Sequence, residues 1–294
     1  MLYCFCERGV QNMTNLDAVL DALRKNGMTL TARKARKNGD SKRSKIGGRP
    51  AVPAGFVWPR FESENFEGET ANRPLSFLCQ INLEEASAYD RENLLPKTGM
   101  LLFFYEQESE KWGFDPADNG CARVYYFEHV SELDTAEFPE DLQVQYRVKE
   151  YDLSFTALDS YPSYEELELH SDVDCDWDEY DEAVEMKGCE ILSDRHKLLG
   201  YADLVQGEML TECERTARGL YCGDSESYKQ TSEETKADIR KKATDWMLLF
   251  QMSYIQEDDF EMLFGDCGKL YFYIRKQDLQ ERNFDRIWLI LQCG

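Results

Sequence analysis

The sequence predicts an α+β fold of mostly antiparallel sheets, built from two pseudo-repeated β-rich units that share one core, with helices at the periphery. Three observations carry this. A strand centred on a glutamine, a gap, then a glycine and a second strand occur twice: LSFLCQIN with GMLLFF over residues 75–104, and WMLLFQMS with GKLYFY over 246–273. Gln80 matches Gln251 and Gly99 matches Gly268, with separations of 19 and 17 residues. The flanks agree as well: Lys45–Gly48 and Lys197–Gly200 are both Lys-x-x-Gly, and Arg123 and Arg286 each lead an apolar strand. A repeated unit that buries too little by itself must pack against its copy. With 294 residues, 42% of them hydrophobic, the chain has enough apolar surface for a large common core.

The elements follow in order. Residues 12–26 predict a short helix, capped by Asn15 or Thr14, with Leu16, Val19, Leu20 and Leu23 on one stripe and Gly27 as its stop. The basic stretch that follows alternates at 29–35 as an edge strand would, and otherwise reads as loop. Gly47, Gly48, Pro50, Pro53, Gly55 and Pro59 exclude helix and mark a fixed, turning loop. Residues 75–83 alternate as a strand, with Phe77, Cys79, Ile81 and Leu83 on one face and Leu78, Gln80 and Asn82 on the other. Further strands fall at 99–105 and 122–130, with weaker ones at 143–148 and 152–157, and a helix starts near Ser163. Ser232 caps a helix over 232–244, with Glu233 and Glu234 in its first turn. Strands follow at 246–253, 259–264, 268–275 and 286–292, with a short helix near 276–282. Roughly ten strands and four or five helices result. The chain divides into an N-terminal helix and basic segment (1–43), a first β-rich repeat (44–130), an acidic inter-repeat segment (131–193) and a second β-rich repeat (194–294), with 44–294 as one domain.

Composition narrows the setting. No run of 18 apolar residues exists, so no membrane span is expected. The opening MLYCFCERGV is too short and too soon charged for a secretory signal. Ten cysteines without a C-x-x-C pair predict a reduced, cytoplasmic protein. The net charge of −23 is uneven: residues 1–50 carry 11 Lys/Arg against 4 Asp/Glu, and residues 132–194 carry 21 Asp/Glu against 3 Lys/Arg. Such an acidic segment repels phosphates, which argues against nucleic acid, and it steers basic partners.

Specific residues then point to a family. They are Ser44-Lys45-Ile46-Gly47-Gly48 with Pro50, Pro53, Gly55 and Trp58-Pro59; Leu75, Phe77-Leu78, Gln80-Ile81-Asn82-Leu83; Gly99, Leu101, Phe103-Phe104; and His196 to Tyr201. Trp246, Leu248-Leu249, Gln251, Gly265-Asp266, Gly268, Leu270 to Phe272, Ile274, Asp278-Leu279, Phe284, Trp288 and Leu291 to Cys293 complete the set. From residue 44 to the C-terminus the chain resembles the YwqG-like family, bacterial proteins of unknown function. It departs at Ala202, where the family usually has proline. The resemblance implies the fold and a bacterial cytoplasmic protein, implies no chemistry, and carries an association with toxin–immunity neighbourhoods.

No nucleophile elbow, His-Glu-x-x-His, phosphate loop or zinc spacing is present, so the sequence names no catalytic residue, cofactor or metal. The oxygen ligands of a calcium loop fall at Asp174, Asp176, Asp178, Glu182 and Glu185, but Glu179 stands where glycine must turn the chain. That leaves loose divalent binding or a solvated acidic face. Residues shared by both units (Gln80 and Gln251, Gly99 and Gly268, and Gly48 and Gly200 of the Lys-x-x-Gly pairs) are read as serving the fold, as is Gly47, which with Gly48 permits close backbone approach in a packed loop. Residues of one unit only, Trp58, His196 and Asp266, are the ligand candidates, with a structural hydrogen-bonding role as the plainer reading of His196. Asp172, Asp174, Asp176 and Asp178 are the partner candidates. Two functions stay open. One is a non-enzymatic interaction module that docks a basic protein on its acidic surface, with an immunity-type inhibitor as one case. The other is a small-ligand binder or enzyme using the cleft between the repeats.

Overall fold

The computed structural model describes residues 15–36, 39–188 and 195–294. Its strands in chain order are β1 (Lys25–Lys34), β2 (Lys45–Ile46), β3 (Ala51–Pro53), β4 (Arg60–Glu64), β5 (Thr70–Pro74) and β6 (Ser76–Asn82). Then come β7 (Met100–Tyr105), β8 (Ala122–Phe127), β9 (Leu133–Thr135), β10 (Tyr151–Ser160) and β11 (His196–Leu199). The last are β12 (Trp246–Ser253), β13 (Ile255–Glu257), β14 (Phe260–Met262), β15 (Lys269–Arg275) and β16 (Trp288–Gln292). The helices are α1 (residues 15–23), α2 (Leu83–Ala86), α3 (Tyr164–His170), α4 (Trp177–Met186), α5 (Leu210–Ala217), α6 (Ser225–Gln230), α7 (Glu233–Ala243) and α8 (Lys276–Gln280). The class is α+β with antiparallel pairing throughout, as the alternating patterns predict.

Among the described residues ten strands form one sheet in the order β16-β15-β12-β11-β1-β10-β2-β6-β7-β8. At its centre β1 pairs with β10 along its whole length, from Lys25 opposite Ser160 to Lys34 opposite Tyr151. The outer neighbour of β1 is β11, and that of β10 is β2. This corrects the N-terminal reading. The helix ends at residue 23, Gly27 lies inside a strand, and the stretch taken for an edge strand is central; the expected start at 12–14, with Thr14 as a cap, lies outside the described residues. Met28 and Leu30 alternate into the core at 0% and 2% exposure, a period-two signal that the surrounding charges obscure. At Gly27 the adjacent strand comes close, and a Cβ would sit 3.0 Å from the Leu199 carbonyl oxygen.

On either side of the central pair the connections run alike. Lys45 pairs with Gln80 and Lys197 with Gln251; Gln80 pairs with Leu102 and Gln251 with Tyr271. Each glutamine strand carries a bulge at the same place, between Phe77 and Cys79 and between Leu248 and Phe250. The bulge corrects the strict alternation expected of 75–83: Leu78, Cys79 and Ile81 all enter the interior core, while Phe77 joins the outer cluster. One landmark does not correspond. The register sets Arg123, opposite Phe104, against Trp288, opposite Tyr273, and Arg286 lies in a 3₁₀ turn before β16.

The sheet curls around an apolar interior in which Phe103 lies 4.5 Å from Phe250 and 5.3 Å from Phe272 between ring centroids. The β16 edge is covered by the β7–β8 connection, where the Leu291 amide donates to the Trp112 carbonyl at 3.0 Å. The outer face of the first half is covered by Phe56, Trp58, Phe61 and β3. That of the second is covered by α5 and α7, through Met209, Leu210, Cys213 and Ala243. A separate cluster joins α1 (Leu16, Leu20) to α3 and α4 (Leu167, Tyr180, Ala183, Val184). Residues 144–146, expected within a strand, form a 3₁₀ turn instead.

Candidate functional site

The two glutamine amides anchor equivalent turns. Gln80 Oε1 accepts from the Ala51 amide at 3.0 Å and its Nε2 donates to the Arg43 carbonyl at 2.7 Å. Gln251 Oε1 accepts from the Asp203 amide at 2.8 Å and its Nε2 donates to the Arg195 carbonyl at 2.8 Å. Both side chains are fully buried, so each amide answers backbone groups that water cannot reach. Gly47 and Gly48 have φ of 60° and 67°, and Leu199 and Gly200 repeat the turn at 60° and 79°. Gly99 and Gly268 precede β7 and β15, and a Cβ on Gly268 would lie 2.3 Å from the Gln292 carbonyl oxygen.

Buried charge gathers beside these turns. Lys45 Nζ lies 2.8 Å from Glu150 and donates to the Arg49 carbonyl at 2.8 Å. Lys197 Nζ lies 2.7 Å from Asp203 and donates to the Tyr201 carbonyl at 2.7 Å. Arg195 grips Asp203 with two hydrogen bonds of 3.0 and 2.7 Å. Burial pushes the Asp203 carboxyl up, but Lys197 and Arg195 overcome it and hold the group at about 2. A second group of titratable side chains gathers around Lys25 at the start of β1. Lys25 Nζ sits 3.6 Å from the centroid of the Tyr201 ring. Burial lowers Lys25 to about 8 against the pull of Glu166, and burial raises Glu166 to about 7 against the pull of Lys25. Burial, with Lys25 and Lys276 nearby, lowers His170 to about 4.

The single-unit candidates do not converge. Trp58 packs in the outer cluster of the first half, edge-on to Phe104 at 5.4 Å, with its Nε1 donating to the Leu75 carbonyl at 2.8 Å. His196 is buried in β11, and its Nδ1 accepts from the Ser253 amide at 3.1 Å. Ser44 does the same for the Asn82 amide at 2.9 Å. Asp266 is exposed before β15, where its carbonyl accepts from the Gly294 amide at 3.3 Å. His196 lines a cavity of about 340 Å³ with Thr31, Tyr151, Tyr254 and Glu257. A groove of about 410 Å³ does lie between the halves, where Pro116 and Asn119 meet Trp246, Arg275, Arg286 and Trp288. Its arginines already face carboxylates, Arg275 at 2.7 Å from Glu214 and Arg286 at 3.6 Å from Asp278.

The acidic segment divides in two. Its first part is partly paired with the basic N-terminal stretch: Arg36 and Arg43 reach Asp152, Arg43 and Lys45 reach Glu150, Arg49 reaches Glu137 and Arg24 reaches Asp159. Its second part is not. Residues 163–188 hold eleven carboxylates against Lys187 alone among lysines and arginines. Lys187 turns to Asp17 and Asp21 of α1 at 3.2 and 2.7 Å. Glu168, Asp172, Asp174, Asp176, Asp178, Asp181, Glu182 and Glu185 are all exposed. Two of the partner candidates also shape the helix. Asp176 caps α4 by accepting from the Glu179 amide at 2.9 Å, and Asp178 lies in its first turn. Because Asp178, Glu182 and Glu185 sit on a helix, the stretch cannot wrap an ion as a calcium loop does.

A family model matches residues 44–293. The chain belongs to the DUF1963 family, a domain of unknown function. No curated protein matches the chain. The DUF1963 match starts at Ser44, so β1, which joins β10 to β11 at the middle of the sheet, precedes it. The match therefore includes both buried lysines, both glutamines and the acidic α3–α4 face. Among the described residues no helix is long and apolar enough to cross a membrane.

Sequence reasoning missed Trp177, which projects from the acidic face at 52% exposure. Its signal was present in the run DCDWDEYDE, where an aromatic residue interrupts continuous charge. It also missed Arg195 and Asp203, whose partnership depends on a turn that no spacing rule describes.

Proposed function

We propose that this DUF1963 protein is an interaction module that docks a basic protein partner on the α3–α4 face, with inhibition of a toxin in the immunity manner as one case. The observation that carries the reading is the uncompensated charge of that face: eight exposed carboxylates, with its one lysine consumed by α1. A field of one sign steers association and enforces partner choice more than it adds affinity. The test is a comparison of partners captured from cell extract by the native chain and by the variant Asp172→Asn, Asp174→Asn, Asp176→Asn, Asp178→Asn. Asparagine caps a helix as well as aspartate does, so α4 is retained. The native association rate should fall steeply with salt, because exposed charges are screened over about 10 Å at about 0.1 M. A partner that binds the variant with unchanged rate and salt dependence ends the reading.

We also infer that the sheet is two copies of one β-unit whose first strands have changed places, β1 lying beside β11 and β10 beside β2. The matched bulges, glutamine contacts and left-handed turns support it. An experimental structure in which the Gln80 and Gln251 amides make unlike contacts would refute it. The groove between the copies is the place for the alternative, a small-ligand site. Its exposed Arg286 would meet an anionic ligand, and a thermal-shift screen of metabolites against the native chain and Arg286→Ala tests it.

A further inference from the structure

The α3–α4 face contains a cavity of about 230 Å³ lined by Tyr161, Glu165, Trp177, Tyr180, Val184 and Leu204, among others. This is smaller than the roughly 300–1,000 Å³ of small-molecule sites, and suits a single side chain of a partner. Its aromatic wall is fixed in place. The Tyr164 ring lies 5.1 Å from Trp177 and 5.7 Å from Tyr180. The Tyr164 hydroxyl donates to the Cys175 carbonyl at 3.2 Å, and the Tyr180 hydroxyl donates to the Pro162 carbonyl. With the Tyr180 hydroxyl engaged and Tyr164 bracing the indole from behind the lining, Trp177 offers an incoming group its ring. Below them Lys197 and Asp203 close on each other at 2.7 Å. Glu165 stands in the wall, and the exposed Asp176, Asp178 and Asp181 flank the lining residues Trp177 and Tyr180 along the chain.

We propose that this cavity takes an arginine side chain of the basic partner, with the guanidinium on the Trp177 ring and against Glu165. This rests on the docking reading above and specifies its anchor. An occupant must have an apolar stem to lie along Val184 and Leu204 and a cationic head to face the carboxylates. Arginine meets both needs, and its planar head stacks on indole and pairs with a carboxylate in a way that the compact ammonium of lysine does not. An aromatic ring surrounded by neutralising charge has the form of an interface hot spot, where one deeply seated side chain carries much of the binding.

The test uses two labelled, acetylated and amidated peptides of alternating glycine and lysine, one with its central lysine replaced by arginine. Binding is followed by fluorescence anisotropy at low and high salt. The arginine peptide should bind about five-fold tighter, the value of a cation–π contact near 1 kcal/mol. Trp177→Ala should abolish that preference while leaving the salt dependence of both peptides, and Trp177→Phe should keep part of it. Trp177 is the first residue of α4 and half-exposed, so the fold tolerates the change. Equal affinity of the two peptides for the native protein overturns the anchor, as does a preference that survives Trp177→Ala. Failure of both peptides to bind even at low salt overturns the acidic-face reading itself, and the anchor with it.

Discussion

Replacing Asp203 with asparagine separates a buried ion cluster from its exposed counterpart. The Asp203 carboxylate accepts four hydrogen bonds, two from Arg195, one from Lys197 at 2.7 Å and one from Gln251 at 3.0 Å. Its side chain is 5% exposed, and those of Arg195 and Lys197 are 4% and 3% exposed. Removing the charge leaves two buried cations short of a carboxylate, which costs about 3–5 kcal/mol. At a urea slope near 3 kcal/mol/M the unfolding midpoint should fall by about 1–1.7 M. The control is Glu150→Gln, since Glu150 holds Arg43 and Lys45 in the other half but is 33% exposed. Water then replaces part of what is lost, and the cost should be about 1 kcal/mol. The pH dependence follows from the sign of the shift. A carboxyl held at about 2 in the folded chain, below its ordinary value of 3.8, adds stability that is present above that ordinary value. That stability is lost as pH falls through about 2. The gap between native and Asp203→Asn proteins should therefore narrow between about pH 4 and pH 2. A cost below about 1 kcal/mol, a cost equal to that of Glu150→Gln, or a gap independent of pH would refute the reasoning.

Burial, with Glu208 nearby, raises Glu212 to about 8, and its Oε2 has no hydrogen-bond partner among the described residues. The folded chain thus keeps a proton that the unfolded chain releases above pH 4.5, and stability should decline from there to about pH 8. Glu212→Gln should flatten that decline in urea titrations and be the more stable protein at about pH 9. Gly113, at φ 80°, lies under the β16 edge, where a Cβ would fall 1.8 Å from the Leu289 carbonyl oxygen. Gly113→Ala should lower stability by at least about 2 kcal/mol, measurable as a lower melting temperature, because a backbone carbonyl cannot swing aside.

The parts of the fold visible in the sequence were those with a local cause. β12 and β15 are long apolar runs, and Ser232 and Ser163 sit at the N-caps of α7 and α3, as their residue types predict. The parts that were missed depend on distant segments. The basic residues that follow β1 include Arg36 and Arg43, which meet Asp152 more than a hundred residues later. Its place at the centre of the sheet is decided by β10 and β11. The bulge at Leu78 leaves no trace in composition, yet it turns Leu78 into the interior core and Phe77 out of it. The acidic face was legible as charge. That its first part is partly paired with basic residues was not, since those pairs form across the chain.

The position of β1 also bears on how the protein is made. Its two neighbours, β10 and β11, leave the ribosome only after residue 150. At about 5–20 residues per second, β1 waits about 10–30 s for the full set. Through that interval Met28 and Leu30 have no sheet to enter, and the nascent chain carries an unpaired apolar strand. Arg33, Lys34 and Arg36 at its end then act as gatekeepers that discourage pairing with another chain. A stalled nascent chain ending before residue 150 should be cut by protease near β1, whereas the released protein should be protected there.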